Sequence, residues 1–259
     1  MGKIIAITNQ KGGVGKTTTS INLASGLALK NKKVLLVDLD PQGNSTTGVG
    51  INKANLDYST YDVLIGEKNF DQIILKNVFN NLDIAPATIS LAGADLFFIE
   101  NKKDGRESLL LEFNQIKNKY DYVIIDCPPS LGLINRNALS AANSVLIPIQ
   151  AEYYALEGLS QLLNSIQLVQ KMYNPKLKIE GIVLTMFDIR TKLSFEVLNE
   201  VKKYFKNKVY KTYIPRSIRI SEAPSHGISI FKYDPKGIGT NAYNNLVSEV
   251  LFNNENQQQ

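Results

Sequence analysis

The chain has one cysteine and one histidine in 259 residues. Cys127 alone cannot form an internal disulfide, and no Cys-rich metal or iron–sulfur centre can be assembled within one chain. His226 lacks a catalytic partner and reads as structural. No apolar run approaches the roughly 18 residues that a membrane span requires. The start, Met1-Gly2-Lys3-Ile4-Ile5-Ala6, goes straight into an apolar strand, lacks a signal-peptide cleavage pattern, and has Ala6 where a myristoylation site requires Ser or Thr. These absences predict a cytoplasmic protein that does not enter a membrane. With hydrophobic residues at 44% and charged residues at 20%, a mainly disordered chain is excluded. There is no linker and no internal repeat, so one compact domain over residues 1–252 is expected, followed by a polar tail over 253–259.

Short, almost wholly apolar runs recur along the chain: Lys3 to Thr8, Val34 to Val37, Tyr122 to Ile125, Ser144 to Ile149, Ile179 to Thr185 and Val209 to Ile214. Continuous rather than alternating hydrophobicity predicts strands buried on both faces. Between them, Ile21, Ala24, Leu27 and Ala28, or Leu159, Leu162, Leu163, Ile166 and Val169, fall at helical spacing. This alternation predicts an α/β fold, a mainly parallel twisted sheet with helices on both faces and ligands at the carboxyl ends of the strands.

The first strand ends at Asn9 and leads into Lys11-Gly12-Gly13-Val14-Gly15-Lys16-Thr17-Thr18, directly before an amphipathic stretch. Glycines let the backbone curl so that successive N–H groups face a phosphate, and a helix N-terminus adds its positive dipole end. Lys16 is placed to reach β- and γ-phosphates, and the Thr17 hydroxyl to ligate Mg²⁺. A Rossmann fingerprint is excluded, because Gly13-Val14-Gly15 is followed by Lys16-Thr17-Thr18 with no third glycine. The second strand ends in Asp38-Leu39-Asp40-Pro41-Gln42-Gly43-Asn44. Its two carboxylates, at alternate positions, project to one side, where one can orient an attacking water and the other support Mg²⁺ or the loop itself. Tyr122-Val123-Ile124-Ile125-Asp126-Cys127-Pro128-Pro129-Ser130 has the form of a Walker B strand. Asp126 would hold Mg²⁺ through water, the alternative being a helix cap. Cys127 reads as a small buried residue beside the site.

The glycine string departs from the ordinary Walker A pattern: Gln10 stands where a glycine is usual, and an extra lysine, Lys11, follows it. On these residues the chain resembles the deviant Walker A ATPases. With Pro148 through Gly158 and Ile214-Pro215-Arg216 through Ser225, the resemblance to the ParA/Soj partition ATPases covers nearly the whole chain. It implies a P-loop ATPase that binds ATP and Mg²⁺ on residues 11 to 18. It also implies an ATP-sandwich homodimer in which Lys11 reaches the partner's nucleotide, with Lys11, Lys16 and Asp40 as the catalytic set and Asp40 as the water-positioning residue. Asp38 is placed nearer the metal. In that family Pro215 and the residue two after it line the adenine; an Asn is common there and Ser217 stands here, which bears on base selectivity. Relatives with cluster cysteines, with a basic amphipathic membrane helix at the C-terminus, or with an N-terminal helix-turn-helix do not match this chain, which leaves the short, Soj-like form.

Formal net charge is +5, and its placement is uneven. From Arg190 to Arg219 there are nine Lys or Arg against Glu196 and Glu200, while the remainder has 20 basic and 22 acidic residues. Arg190, Lys192, Lys202, Lys203, Lys206, Arg216 and Arg219 are therefore candidates for an anionic partner. The lysines at 202, 203 and 206 lie opposite an apolar stripe of Val197, Leu198, Val201, Tyr204 and Phe205, so a solvated basic helix face is the alternative. The resemblance places DNA contacts at Arg190 and Arg219. No base-reading element is present, which predicts phosphate contacts to double-stranded DNA independent of its sequence. The resemblance further implies slow hydrolysis, association with the nucleoid, and a ParB/Spo0J-like partner that accelerates release. The rivals are an ATPase that positions another cargo and a metabolic enzyme of the same superfamily.

Overall fold

The structure is a computed structural model that describes residues 2–102, 105–130, 132–152 and 155–256. Tyr153 and Tyr154, within the family-like stretch that ends at Gly158, and residues 257–259 of the expected tail lie outside the described residues.

Among the described residues, eight strands form one sheet: β1 Lys3–Ile7, β2 Val34–Asp38, β3 Leu75–Phe79, β4 Leu82–Ala85, β5 Tyr122–Asp126, β6 Ser144–Gln150, β7 Lys178–Phe187 and β8 Val209–Pro215. Their order is β3-β4-β2-β5-β1-β6-β7-β8. Every neighbouring pair is parallel except β3 with β4. The six apolar runs of the sequence are the six strands from β2 to β8 across the sheet. The β3–β4 pair is not legible in the sequence because β3 is short and half-exposed, and Lys76 and Asn77 interrupt its apolar residues.

Period-two alternation explains why the central strands are apolar throughout. Ile4 and Ala6 of β1, Leu35 and Val37 of β2, and Val123 and Ile125 of β5 face one core. This core contains Val63, Phe70, Leu109, Phe113, Leu162 and Val201 of the covering helices. Ile5 and Ile7, Val34 and Leu36, and Ile124 face the other, against Ile21, Ala24 and Leu27 of the helix Lys16–Leu29 and Leu246, Val247 and Val250 of the helix Ile238–Glu255. Both faces are dry, so neither can be polar.

The edge at β8 is blocked rather than open. The N–H groups of Lys211 and Thr212 donate to the Glu249 carboxylate at 2.9 and 2.8 Å, which removes two donors that another strand could otherwise pair with. The last helix runs to Glu255, three residues into the segment expected to be a polar tail. Asn254 is buried there, bonded to Lys3 and within 3.5 Å of the Tyr122 hydroxyl, and this anchors the end of the helix.

Candidate functional site

β1 is the strand from which the sheet order extends both ways, with β5 and β6 as its neighbours. A crevice opens at the carboxyl ends of such a pair. Residues 8–15 occupy it between β1 and the helix Lys16–Leu29. Gly13 and Gly15 have φ of +74° and +85°, the left-handed region in which a side chain would be strained. A Cβ at Gly12 or Gly13 would meet no atom within 4 Å, so the loop backbone is open on its outer side. The helix begins at Lys16 with no side-chain cap, leaving the first-turn N–H groups pointed at the loop. Two distant contacts and one local one hold this curl in shape. The Thr185 hydroxyl on β7 donates to the Val14 carbonyl at 2.8 Å, Asn9 donates to the Pro148 carbonyl at 2.7 Å, and the Lys11 N–H donates to the Asn9 side chain at 3.1 Å.

Lys16 is buried, and its ammonium donates to the Lys11 carbonyl at 2.9 Å, folding back over the loop. Burial lowers its pKa, opposed by the negative charges of Asp126 and Asp40. Asp126 is the last residue of β5, in register with Ile7 of β1 and Asp38 of β2. One oxygen accepts from Ser20 at 3.0 Å and the other from Ser45 at 2.7 Å, and Thr17 also donates to it. Burial raises its pKa, and these hydroxyl contacts oppose the rise. A helix-cap role for Asp126 finds no support, since these partners are hydroxyl groups around the loop. Cys127 is buried beside it, its thiol pushed up by burial and by the Asp126 charge.

Asp38 and Asp40 divide more sharply than their spacing suggests. Asp38 is wholly buried: one oxygen accepts from the Asp40 N–H at 3.1 Å, the other from the Thr46 N–H and hydroxyl, both at 2.8 Å. Burial and the facing Asp126 charge raise its pKa. Its bonds hold the turn between residues 40 and 46, which is the loop-supporting alternative, rather than leaving an oxygen free near a metal. Asp40 lies beyond the strand, with one oxygen accepting from the Gln42 N–H at 2.9 Å. Ser20, Ser45, Thr46 and Thr185 were not singled out in the sequence. The hydroxyl run Ser45-Thr46-Thr47 just after Asp40-Pro41-Gln42-Gly43 is a local signal that could have found Ser45 and Thr46.

Lys11 makes an ion pair within its own chain, 3.1 Å from Glu152, with both side chains about half exposed. Pro215 and Ser217 come to the same crevice: with Gly15, Thr18, Thr185 and Tyr243 they line a cavity of about 380 Å³. Arg216 and Pro215 also border a second cavity, of about 770 Å³, with Arg190, Lys211 and Tyr213.

The basic stretch does not stay together. Arg190 follows the carboxyl end of β7, and Arg216 and Arg219 follow that of β8, whereas the helix Lys192–Phe205 runs back toward the amino ends. Ten to fourteen residues, about 15–21 Å along the helix, separate Lys192 from Lys202, Lys203 and Lys206. All seven side chains are exposed. Arg190 is forked onto Asp188 at 2.9 and 2.7 Å, and Arg219 lies 3.5 Å from Glu222 and over the Tyr233 ring. Of the expected apolar stripe, Val197 and Val201 are buried, while Tyr204 turns outward at 70% exposure. His226 stacks on Tyr233 with ring centroids 5.0 Å apart, a packing role.

Residues 2–179 match the protein family described as an AAA domain. Over 254 residues, 98% of the chain and 100% of the relative, it is 57% identical to the sporulation initiation inhibitor protein Soj of Bacillus subtilis. Identity to the chromosome partitioning protein ParA of Myxococcus xanthus is 48%, covering 97% of the chain and 88% of the relative. Among solved structures, the cobyrinic acid a,c-diamide synthase of Mycobacterium smegmatis with bound ATP analogue and magnesium superposes with a TM-score of 0.85 at 35% identity, covering 97% of this chain and 94% of that one. The cell division ATPase MinD of Pyrococcus furiosus superposes at 0.79 with 28% identity over 97% and 99% of the two chains.

Proposed function

Because the chain belongs to the Soj/ParA family of chromosome-partitioning ATPases, we propose that it is an ATP-operated switch that binds DNA as a nucleotide-held dimer. It is an ATPase, and magnesium is the metal that its site suits. The observation that carries the reading is the convergence on one crevice of the open glycine backbone, the buried Lys16, the Asp40 and Asp126 carboxylates and the apolar slot at Pro215. The likeness to the synthase, at 35% identity, is weaker than the 57% identity to Soj and does not favour a metabolic enzyme.

The residues fit a magnesium nucleotide. The backbone from Gly12 to Thr18 would bind phosphate oxygens through N–H groups, at positions where a side chain is absent or points away. Lys16 would exchange its bond to the Lys11 carbonyl for the β- and γ-phosphates, which a flexible stem allows. Thr17 and Asp126 would hold the ion, which would neutralise charge on the phosphates. Asp38 acts one step back, fixing through Thr46 the turn that carries Asp40 and Ser45. Asp40 would orient the attacking water at the exit of β2. Pro215 and Ser217 would line the adenine, and a hydroxyl at 217 offers the base a weaker, less directional contact than an amide would.

Lys11 would leave Glu152 to reach the nucleotide of the partner subunit. Half-exposed pairs of this kind contribute only about 0.2–1 kcal/mol, so the exchange opposes dimer formation weakly. The DNA surface is assigned to Arg190, Lys192, Arg216 and Arg219 at the carboxyl ends of β7 and β8, beside the base slot. Lys202, Lys203 and Lys206 stand at the other end of their helix, where they also suit its negative dipole end, and contribute less. A dimer doubles the arginine surface, and because phosphate contacts combine in the salt dependence, a dimer can bind where a monomer barely does. A ParB/Spo0J-like protein would speed hydrolysis and release from the nucleoid.

The test is DNA binding with no nucleotide, ADP, ATP and a non-hydrolysable ATP analogue at two salt concentrations, with Arg219→Ala alongside. Salt-sensitive binding with triphosphate only, weakened by the substitution, supports the switch. Binding that ignores nucleotide, or that fails at low salt, removes DNA from the mechanism and leaves an ATPase with another cargo.

A further inference from the structure

The cavity of about 770 Å³ beside the base slot runs along the sheet edge, between β8 and the start of the helix Ile238–Glu255. Its size is within the range of ligand sites. The Tyr213 ring lines it. One face of that ring is stacked on Phe187, with centroids 4.4 Å and planes 28° apart, and Phe187 in turn meets Phe195 edge-on at 5.4 Å. Phe187 is 2% exposed whereas Tyr213 is 39% exposed, so the outer face and the hydroxyl edge of Tyr213 are what solvent reaches. A ring fixed from behind and open in front is a surface on which another flat ring can stack. The rest of the lining is polar and mostly positive. Arg190, Lys211 and Arg216 border the cavity against one carboxylate, Asp188, which Arg190 already forks. Lys211 and Arg216 are exposed, and among the described residues neither is within ion-pair distance of a carboxylate. Asn241 and Asn245 border it from the helix, one turn apart on the same face, and among the described residues neither exposed amide has a hydrogen-bond partner. Glu249, one turn further along that face, is taken up by the N–H groups of Lys211 and Thr212.

We propose that this groove binds single-stranded DNA, with an unpaired base stacked on Tyr213 and the flanking phosphates on Lys211 and Arg216. The two kinds of lining select this ligand together. Cations alone would take any phosphate backbone, but a duplex keeps its bases stacked on one another and has no base face to give to Tyr213. A simple anion would leave the ring and the two amides unused. The amides carry both donors and acceptors, which suits the edge of an unpaired base. Base identity is read weakly, because every base has a π-face. DNA is the strand because Arg190 and Arg216 belong to the surface assigned to DNA above, and the inference rests on that reading in this respect alone.

The experiment is fluorescence anisotropy at low salt with the full nucleotide-free chain and an oligothymidylate about ten residues long, set against an abasic strand of the same length and charge. Saturable binding is expected, with the abasic strand weaker by about fivefold or more. Tyr213→Ala, and Tyr213→Leu, which keeps an apolar side chain there, should each lose about 5- to 150-fold for oligothymidylate, and Tyr213→Phe should retain it. Lys211→Ala should weaken both strands alike and flatten their salt dependence. Duplex binding by the chain with a non-hydrolysable ATP analogue should be the same in Tyr213→Leu as in the parent. If the parent binds oligothymidylate as expected and no duplex, the nucleotide-dependent switch fails and this groove stands. Equal binding of the abasic strand, absence of saturation, or full affinity in a folded Tyr213→Leu chain would overturn the assignment. So would displacement by dTMP as effective as by oligothymidylate, which points to a free nucleotide, or tighter binding of an oligouridylate, which points to RNA.

Discussion

Gly12 and Gly15 lie three residues apart in one loop, yet the structure predicts opposite consequences of replacing each by alanine. At Gly12 a Cβ meets no atom within 4 Å and φ is not in the left-handed region. Gly12→Ala should therefore leave the nucleotide-free chain as stable as before, or stabilise it by about 0.4–1 kcal/mol through the lower entropy of the unfolded chain. At Gly15 φ is +85°, where an alanine is strained by about 1–2 kcal/mol. Gly15→Ala should therefore melt several degrees lower, at about 2–4 °C per kcal/mol for a chain of this size. The space that Gly12 leaves open is where phosphate oxygens must approach the backbone. A methyl group there would cost at least one charge-assisted hydrogen bond, about 1.5–3 kcal/mol, or about 10- to 150-fold in ATP affinity. Chemical denaturation gives the first quantity and titration with a fluorescent ATP analogue the second. A Gly12→Ala chain that is stable and binds ATP normally would refute the cradle. One that fails to fold would refute the openness of the loop.

Asp40→Ala should retain ATP binding, lose hydrolysis by about a hundredfold or more, and persist as a DNA-bound dimer, read by phosphate release and sedimentation. Normal turnover in that variant would remove Asp40 from the chemistry. The acid pair has a pH signature. Asp38 and Asp126 are raised from 3.8 to about 7 and about 6, mainly by burial, so the folded chain holds protons that the unfolded chain has lost. Their contribution to stability is full below about pH 4 and is lost as pH rises through 6 to 7. The nucleotide-free chain should melt lower at pH 8 than at pH 5.5. Magnesium nucleotide should raise the melting temperature more at pH 8, because a cation held by Asp126 takes the place of the proton there. A stability that climbs steadily over that interval would contradict the burial of the pair.

What the sequence determined by itself was everything written in neighbouring residues. Six strands were readable because burial on both faces leaves an unbroken apolar run. The phosphate loop was readable because a strand end, three glycines, a lysine and a helix start lie within a dozen positions. Family membership followed from the same strings. The tertiary structure decided which distant groups meet. Thr185 holds the loop through Val14, 171 residues away, and Glu152 faces Lys11 across 141 residues. Asp38 turns to Thr46 rather than outward because the chain folds residues 40–46 back over it, and spacing along a strand says nothing of that return. The basic stretch reads as one patch along the chain. In the fold it is two, because a helix leaving the carboxyl end of β7 must carry its last lysines to the other end of the sheet before β8 can run parallel. Charge adjacency in sequence survives only within a turn or two of chain; beyond that, the direction of each element decides which charges share a surface.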